Sequence, residues 1–225
     1  MTYKLSPSSL GLMKDCPRCF WLEQNDKWKR PSGIFPSLPS GMDRILKKHF
    51  DNFRDKGKLP IEIAEHPECA GMKLFGESKE DKELLEVWRN YRKGMRIEDS
   101  EGNVLMGALD NLLVKGKKLI VLDYKTRGYA LKEDTHEHYQ DQLDIYNYLL
   151  RELGFETEDY GFLLFYIPKE VLETGEVIFE TKLVKMKTNL KRGGEIFSEA
   201  LKLLNGSCPK THKEEACEWC YSVED

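Results

Sequence analysis

The chain has 225 residues, of which 40% are hydrophobic and 33% are charged, a composition typical of a globular protein that buries a core. Its formal net charge of −4 at pH 7 argues against a protein that wraps DNA mainly by electrostatic attraction. No run of about 18 apolar residues is present and no leader segment is visible at the N-terminus, so we expect no membrane span and a cytoplasmic location.

Residues 1–94 are predicted to be mainly helical. Ser6 is a favourable N-cap with Pro7 at the first helical position, and Pro17 is expected to kink or split the helix that follows. The pattern then predicts, in order, a proline-rich loop, a helix, an irregular segment and a second helix, at residues 29–41, 42–54, 57–78 and 79–94.

A β-β-α-β-β core is predicted for residues 95–187. "NVLMGALDNLLV" and "KLIVLDYK" are expected to form a hairpin, followed by a helix that ends at Gly154 and by two further strands. Residues 188–225 hold a last helix, interrupted at Gly193-Gly194, and a cysteine-bearing tail. We therefore expect one α/β domain over residues 1–225, with a mixed central β-sheet flanked by helices.

The hairpin carries three residues suited to catalysis, Asp110, Asp123 and Lys125. An acid two residues before a lysine occurs four times in the chain, but only Asp123 ends an apolar strand that follows another acid-bearing strand. Side chains alternate along a strand, so Asp123 and Lys125 share a face, and Asp110 lies across from them if the register allows. Two carboxylates and a backbone carbonyl suit Mg²⁺ or Mn²⁺, and a neighbouring lysine can offset charge on a phosphate. The alternative is an exposed ion pair on a surface hairpin.

Gln142 and Tyr146 lie four residues apart on the next predicted helix and therefore share one face. An amide and a phenol beside the hairpin can hold a substrate backbone or the strand end. The alternative is that Tyr146 belongs to the core and Gln142 to the solvated surface.

Four of the six cysteines form two C-x-x-C pairs, Cys16 with Cys19 and Cys217 with Cys220. In a cytoplasmic protein such pairs indicate a metal or redox site rather than disulfides. They suit Zn²⁺ in a Cys₄ site or a [4Fe–4S] cluster, and either would staple the two ends of the chain together. The alternative is reduced thiols packed as small hydrophobic groups, which is what we expect for Cys69.

Taken together, these residues resemble the PD-(D/E)XK nuclease superfamily, and within it the RecB-like exonuclease branch that includes the CRISPR-adaptation nucleases. "LSPSSLGLMKDCPRCFWL" resembles the N-terminal helix of that branch, "GALD" its first acidic motif, "DYKT" its D-x-K motif and "QLDIY" its Q-x-x-x-Y motif. The pieces occur in the family's order and cover most of the chain.

The resemblance implies a restriction-endonuclease-like core and a metal-dependent DNA nuclease, within this branch an exonuclease. It assigns Asp110 and Asp123 as ligands of Mg²⁺ or Mn²⁺ and Lys125 as the catalytic lysine. Gln142 and Tyr146 would support the active site or the DNA strand. The implied partners are single-stranded DNA or DNA ends, and other repair or CRISPR proteins.

Two departures from the family pattern bear on the metal sites. A family G-x-x-x-H motif would complete the metal shell, but Ile45 stands four residues after Gly41, which leaves His49 or Asp43 as substitutes. The iron–sulfur members match the chain at Cys16, Cys217 and Cys220 and carry one further C-terminal cysteine that is absent here.

The fourth cysteine ligand would then be Cys19 or, in reserve, Cys208, with iron–sulfur favoured over zinc by the resemblance. The departures leave a second hypothesis open, a catalytically weak DNA-end-binding module stapled by a Cys₄ centre. Three basic stretches are either solvated faces or a funnel for a phosphate backbone, namely Lys27–Arg30, Arg44–Lys48 and Lys182–Arg192.

Overall fold

A computed structural model describes residues 2–210, 217–221 and 223. The predicted tail therefore lies partly outside the described residues, at 211–216, 222 and 224–225. The strands are β1 (Lys4–Leu5), β2 (Lys73–Leu74), β3 (Met95–Glu98), β4 (Val104–Gly107), β5 (Asn111–Lys115), β6 (Lys118–Thr126), β7 (Tyr160–Val171) and β8 (Val177–Lys187). The α-helices are α1 (Pro7–Asp15), α2 (Pro17–Gln24), α3 (Ser37–Arg54), α4 (Ile61–Ala64), α5 (Lys79–Arg89), α6 (Gln140–Glu152) and α7 (Arg192–Leu204).

The larger of two sheets has the strand order β2-β5-β6-β7-β8. Strands β6 and β7 run parallel, and the other neighbours run antiparallel. Helix α6 is the crossover between the two parallel strands, as a parallel connection requires. A smaller sheet has the order β1-β4-β3. The predicted mixed α/β fold with a central sheet flanked by helices is confirmed.

The segment "NVLMGALDNLLV", predicted as one strand, is two strands in different sheets, and that prediction was wrong. Strand β4 belongs to the smaller sheet and β5 to the larger, so Asp110 lies in the break just before β5. At Gly107 the backbone passes so close to α6 that an added Cβ would stand 2.8 Å from the Tyr146 ring. Apolar residues lie on both sides of the break, and the residues between the strands include the buried Leu109, so the segment reads as one strand.

The N-terminal helix is split at Cys16 into α1 and α2, as Pro17 predicted. Ser6 caps α1 through a reciprocal pair of hydrogen bonds with Ser9. Helix α3 begins at Ser37 rather than Met42, because Pro39 falls in the first turn, where a missing N–H costs nothing. The predicted irregular segment, 57–78, contains α4 and β2, whose lengths of 4 and 2 residues are too short for a periodic signal.

The Gly193-Gly194 pair does not interrupt the last helix, which runs unbroken as α7. A Cβ on Gly193 would lie 2.6 Å from the Cβ of Tyr148, and one on Gly194 would lie 3.0 Å from the Tyr148 ring. The glycines therefore allow close packing of α7 on α6. Strand β7 also continues to Val171, so three of the seven residues predicted to connect the last two strands, 169–175, belong to it.

Buried side chains cover both faces of the larger sheet. One face packs against α6, α7 and the smaller sheet, through residues such as Val121, Leu163 and Phe165. The other packs against α3, through residues such as Leu122 and Phe162. Burial on both faces explains why β6 and β7 are almost continuously apolar. Among the described residues, no helix is both long and apolar enough to cross a membrane.

Candidate active site and cysteine centre

Asp110 and Asp123 meet at one end of the β5–β6 hairpin. The last ladder pair at this end joins Asn111 to Leu122, so the next position along each chain brings Asp110 opposite Asp123. The backbone N–H of Tyr124 donates a hydrogen bond of 2.9 Å to Oδ2 of Asp110. The side chains of Asp110 and Asp123 are 17% and 3% exposed. The register thus brings together two buried carboxylates that are 13 residues apart in sequence.

Lys125 lies on the same face of β6 as Asp123 and forms an ion pair with it. Its ammonium also donates a 3.0 Å hydrogen bond to Oε1 of Gln142 and stands 4.6 Å from the centre of the Tyr139 ring. Within the described residues, Oδ2 of Asp123 is buried and makes no hydrogen bond, its contact with Lys125 being the ion pair. This carboxylate oxygen therefore retains unused ligand capacity.

Gln142 and Tyr146 connect Lys125 to the break that precedes Asp110. Nε2 of Gln142 donates to Oη of Tyr146 at 2.8 Å, and that hydroxyl donates to the carbonyl of Ala108 at 2.6 Å. Tyr146 is 4% exposed, so its ring belongs to the core while its hydroxyl belongs to this polar chain. Helix α6 thus contacts Lys125 on β6 and also the backbone just before Asp110, ahead of β5.

Of the two residues considered as substitutes for the missing histidine, Asp43 faces the acidic pair and His49 does not. The ammonium of Lys47 lies 2.8 Å from Oδ1 of Asp43 and 3.3 Å from Oδ1 of Asp110. His49 instead pairs with Glu62 at 2.8 Å. Sequence reasoning missed Lys47, although its i,i+4 spacing from Asp43 placed both residues on one face of α3.

Burial and charge repulsion act together on the acidic residues. Burial raises the pKa of Asp110 well above its usual range, and the Asp123 carboxylate raises it further against the opposing effect of Lys47. Burial also raises the pKa of Asp123, although Lys125 opposes it. Burial alone would lower the pKa of Lys47, but Asp110 and Asp43 raise it, so the lysine stays charged. Two lysine cations therefore offset three clustered carboxylates.

Two buried arginines form hydrogen bonds with the residues at this end of the hairpin, and sequence reasoning missed both. Nε of Arg89 donates to the carbonyl of Asp110 at 2.8 Å, and its Nη1 reaches Asp51. Arg54 contacts the same Asp51 and donates to Oδ1 of Asn111 at 2.6 Å. The carbonyl of Asp110 and the side chain of Asn111 are thereby held by side chains from α5 and α3.

Cavities lie on both sides of this region. A cleft of about 200 Å³ runs between α1 and α6 and reaches Gln142, with Lys14 and His138 in its wall. A larger cavity of about 440 Å³ lies at the opposite end of the hairpin, around Gly116. Of these two cavities, the smaller cleft is the one with a candidate site residue, Gln142, in its wall.

The four cysteines of the two C-x-x-C pairs come together in the structure. The sulfurs of Cys16, Cys19, Cys217 and Cys220 all lie within 4.8 Å of one another. Cys16 ends α1 and caps α2, so the N–H of Cys19 donates to its sulfur at 3.4 Å. The C-terminal pair thus lies against the junction of the first two helices. Cys69 is elsewhere in the core, and burial raises the pKa of its thiol to about 11.

Two arginines accompany the cysteine group. Nη2 of Arg30 donates to the sulfur of Cys217 at 3.7 Å. Arg18, which is 3% exposed, donates to the carbonyls of Val223 and Pro209 and to the sulfur of Cys208. Cys208 packs beside the group, but its sulfur is not among the four that converge. The tail is therefore fixed to α2 by arginine contacts as well as by the cysteines.

Comparison with known proteins agrees with this geometry. The family model of the PD-(D/E)XK nuclease superfamily matches residues 4–222, which is nearly the whole chain. No curated protein matches the chain. The match includes the hairpin, α6 and the four cysteines, and it confirms the predicted family, with which the RecB-like branch is consistent. The chain therefore belongs to the PD-(D/E)XK nuclease superfamily.

Proposed function

We propose that the protein is a metal-dependent DNA nuclease that acts as an exonuclease, with Asp110, Asp123 and Lys125 as its catalytic centre. The observation that supports this most directly is the hydrogen-bonded chain from Lys125 through Gln142 and Tyr146 to the carbonyl of Ala108. A surface ion pair needs no such support, whereas a catalytic lysine must be held in one orientation. The alternative of an exposed ion pair is also at odds with the burial of Asp123.

The side chains at the hairpin end fit a divalent metal of the hard, oxygen-preferring kind. Asp110 and Asp123 would hold Mg²⁺ or Mn²⁺, and Oδ2 of Asp123, whose one contact here is the ion pair with Lys125 in the described residues, is an oxygen of the right type. Asp43 is the candidate third carboxylate, because it shares Lys47 with Asp110. When bound, the ion would act as a Lewis acid toward a phosphate oxygen.

Lys125 would supply positive charge beside the scissile phosphate. Its position is set by Asp123 and by the amide oxygen of Gln142, so little reorganisation is needed when charge develops on the phosphate. Burial would lower the pKa of Lys125, but the Asp123 carboxylate raises it, so the side chain stays protonated. Gln142 and Tyr146 act as positioning residues for this ammonium.

The DNA strand would reach the site along the cleft between α1 and α6, where Lys14 lies in the wall. One of the three basic stretches, Arg44–Lys48, contributes Lys47 to the site itself. Contacts between cations and phosphates make binding weaken as salt rises, so a steep salt dependence is expected of this substrate. A cytoplasmic location and assembly with other repair or CRISPR-type proteins complete the proposal.

A second candidate function is a catalytically weak module that binds DNA ends. The ammonium of Lys47 stands between Asp43 and Asp110, where a metal ion would otherwise balance their charge. Ile45, which occupies the position of the family histidine, brings no metal ligand. A protein of this kind would bind DNA through the same surface and hydrolyse it slowly or not at all.

A cleavage assay separates the two candidates. End-labelled linear and covalently closed circular DNA, each single- and double-stranded, would be incubated with Mg²⁺ or Mn²⁺. Linear DNA degraded from its ends, with circles left intact, supports the exonuclease. Cleavage of circles would show an endonuclease. DNA binding without metal-dependent cleavage by the wild-type chain would favour the module.

A further inference from the structure

The spacing of the four cysteine sulfurs discriminates between the two kinds of centre that two C-x-x-C pairs can hold. Around a single tetrahedral Zn²⁺, bonds of about 2.3 Å place the thiolate sulfurs about 3.8 Å apart. In a [4Fe–4S] cluster each thiolate binds a different iron, so the sulfurs diverge from the iron core and stand roughly 6 Å apart. The two kinds of centre therefore differ by about 2 Å in the distance between their thiolate sulfurs.

The observed sulfurs fit the single ion and do not fit the cluster. Cys16 and Cys220 are 3.6 Å apart, Cys19 and Cys217 are 3.5 Å apart, and no pair among the four exceeds 4.8 Å. Each short contact joins one N-terminal cysteine to one C-terminal cysteine. The two C-x-x-C pairs therefore surround a common point, as the ligands of one tetrahedral ion do. There is no room between these sulfurs for four irons and their sulfides.

The surroundings supply what a thiolate-bound divalent ion requires. Four thiolates around Zn²⁺ carry a net charge of −2, and Arg30 donates to the sulfur of Cys217. Cys16 is the N-cap residue of α2, and its sulfur accepts the N–H of Cys19. All four cysteines are buried, with at most 8% exposed, so water cannot replace these interactions.

We propose that Cys16, Cys19, Cys217 and Cys220 bind one structural Zn²⁺ ion and not an iron–sulfur cluster. The proposal takes zinc in place of the iron–sulfur cluster that the resemblance favoured. Zinc is chosen over a single Fe²⁺ because first-row divalent ions bind a given site more tightly toward the end of the series. The site is closed, with four protein ligands, which is typical of structural rather than catalytic zinc. The proposal does not depend on the nuclease activity.

The experiment is metal analysis of the full chain, expressed with both iron and zinc in the medium and purified without oxygen. We expect one zinc per chain, no acid-labile sulfide and no broad absorbance near about 400 nm of the kind that thiolate-ligated clusters show. Iron in any form at stoichiometric level would overturn the proposal. So would the absence of both metals, or two disulfides that pair Cys16 with Cys220 and Cys19 with Cys217.

Two cysteine variants test which residues bind the ion, and a cobalt exchange gives a readout that does not depend on a variant folding. Cys217→Ser should lose the zinc, whereas Cys208→Ser, a change to a cysteine beside the group, should keep it. If Cys217→Ser does not fold, Co²⁺ exchanged into the wild-type chain gives the second readout. Tetrahedral thiolate coordination should produce intense visible absorption bands with one cobalt per chain, and weak bands typical of octahedral oxygen ligands would contradict the assignment.

Discussion

The acidic site and the cysteine group both gather like-charged ligands in a buried place, but they differ in how the charge is offset. The acidic site has its own cations, because Lys47 lies between Asp43 and Asp110, and Lys125 pairs with Asp123. The cysteine group has one arginine at its edge, Arg30, among the contacts to its four sulfurs in the described residues. The carboxylates of the first site are therefore offset by side chains even without a metal, whereas the thiols of the second carry their charge only when they deprotonate to bind one.

The sites also differ in where their ligands come from. Asp110 and Asp123 belong to one hairpin, whose register is fixed by five ladder pairs. The cysteines belong to the two ends of the described chain, and the C-terminal pair follows a segment with no helix or strand after Leu204 in the described residues. We therefore expect metal binding to serve mainly chemistry in the first site and mainly stability in the second.

The largest expected effect is on catalysis. Asp123→Asn should reduce metal-dependent DNA cleavage by at least about 10³-fold, or about 4 kcal/mol of transition-state stabilisation. Thermal stability should change little, because the substitution removes the charge repulsion with Asp110 together with the ion pair to Lys125. The matched control is Glu180→Gln, which alters another acid two residues before a lysine, on an exposed part of β8. Equal activity in both variants would remove Asp123 from the mechanism.

The next effect is on stability. Cys220→Ser should lower the free energy of unfolding by about 3 kcal/mol, because zinc binding to the folded chain contributes directly to its stability. For a chain of this size the loss corresponds to a fall of about 10 °C in the melting temperature. Calorimetry before and after a thiol-compatible zinc chelator measures it. A chelator that destabilised Cys220→Ser as much as wild type would place the stabilising metal elsewhere.

A smaller effect tests whether Lys47 substitutes for a metal at the acidic site. Lys47→Met should destabilise the metal-free protein by about 1–2 kcal/mol, because it leaves clustered carboxylates without their counter-charge. Added Mn²⁺ should then raise the melting temperature more than in wild type, because no ammonium competes for the same oxygens. Lys48→Met, on the exposed side of the same helix, is the control and should respond as wild type does.

The smallest effect concerns the support of Lys125. Tyr146→Phe leaves the Ala108 carbonyl and the Gln142 amide without a shared hydroxyl, which should cost about 1 kcal/mol of stability. Cleavage should fall by about tenfold through kcat rather than KM, because the change affects the orientation of Lys125 and not contacts to DNA. A loss confined to KM would instead assign Tyr146 to the DNA strand.

Much of the acidic site was predictable because it depends on local rules. Alternation along β6 placed Asp123 and Lys125 on one face, and i,i+4 spacing placed Gln142 and Tyr146 together on α6. The two C-x-x-C pairs indicated that a shared metal centre would bring the chain ends together. In each case a short stretch of sequence determined the relative direction of the side chains.

The parts that could not be predicted depend on packing between distant segments. Lys47 is 63 residues from Asp110 in sequence, and nothing in α3 indicates which strand it will reach. The break between β4 and β5 is invisible in a continuous apolar pattern, because burial in two different sheets demands the same residues. Gly193 and Gly194 looked like helix breakers, but their role is set by Tyr148 on another helix.

The pairing of Cys16 and Cys19 with Cys217 and Cys220 also sets an order of events during synthesis. The ribosome makes α1 through α7 before it makes the last two ligands, so the rest of the fold can assemble while the first pair waits as reduced thiols. A metal bound by Cys16 and Cys19 alone would have two of its four proposed ligands. The other two are Cys217 and Cys220, which are made later. Closure of the proposed metal site would therefore follow the synthesis of Cys217 and Cys220, after helices α1 through α7 have been made.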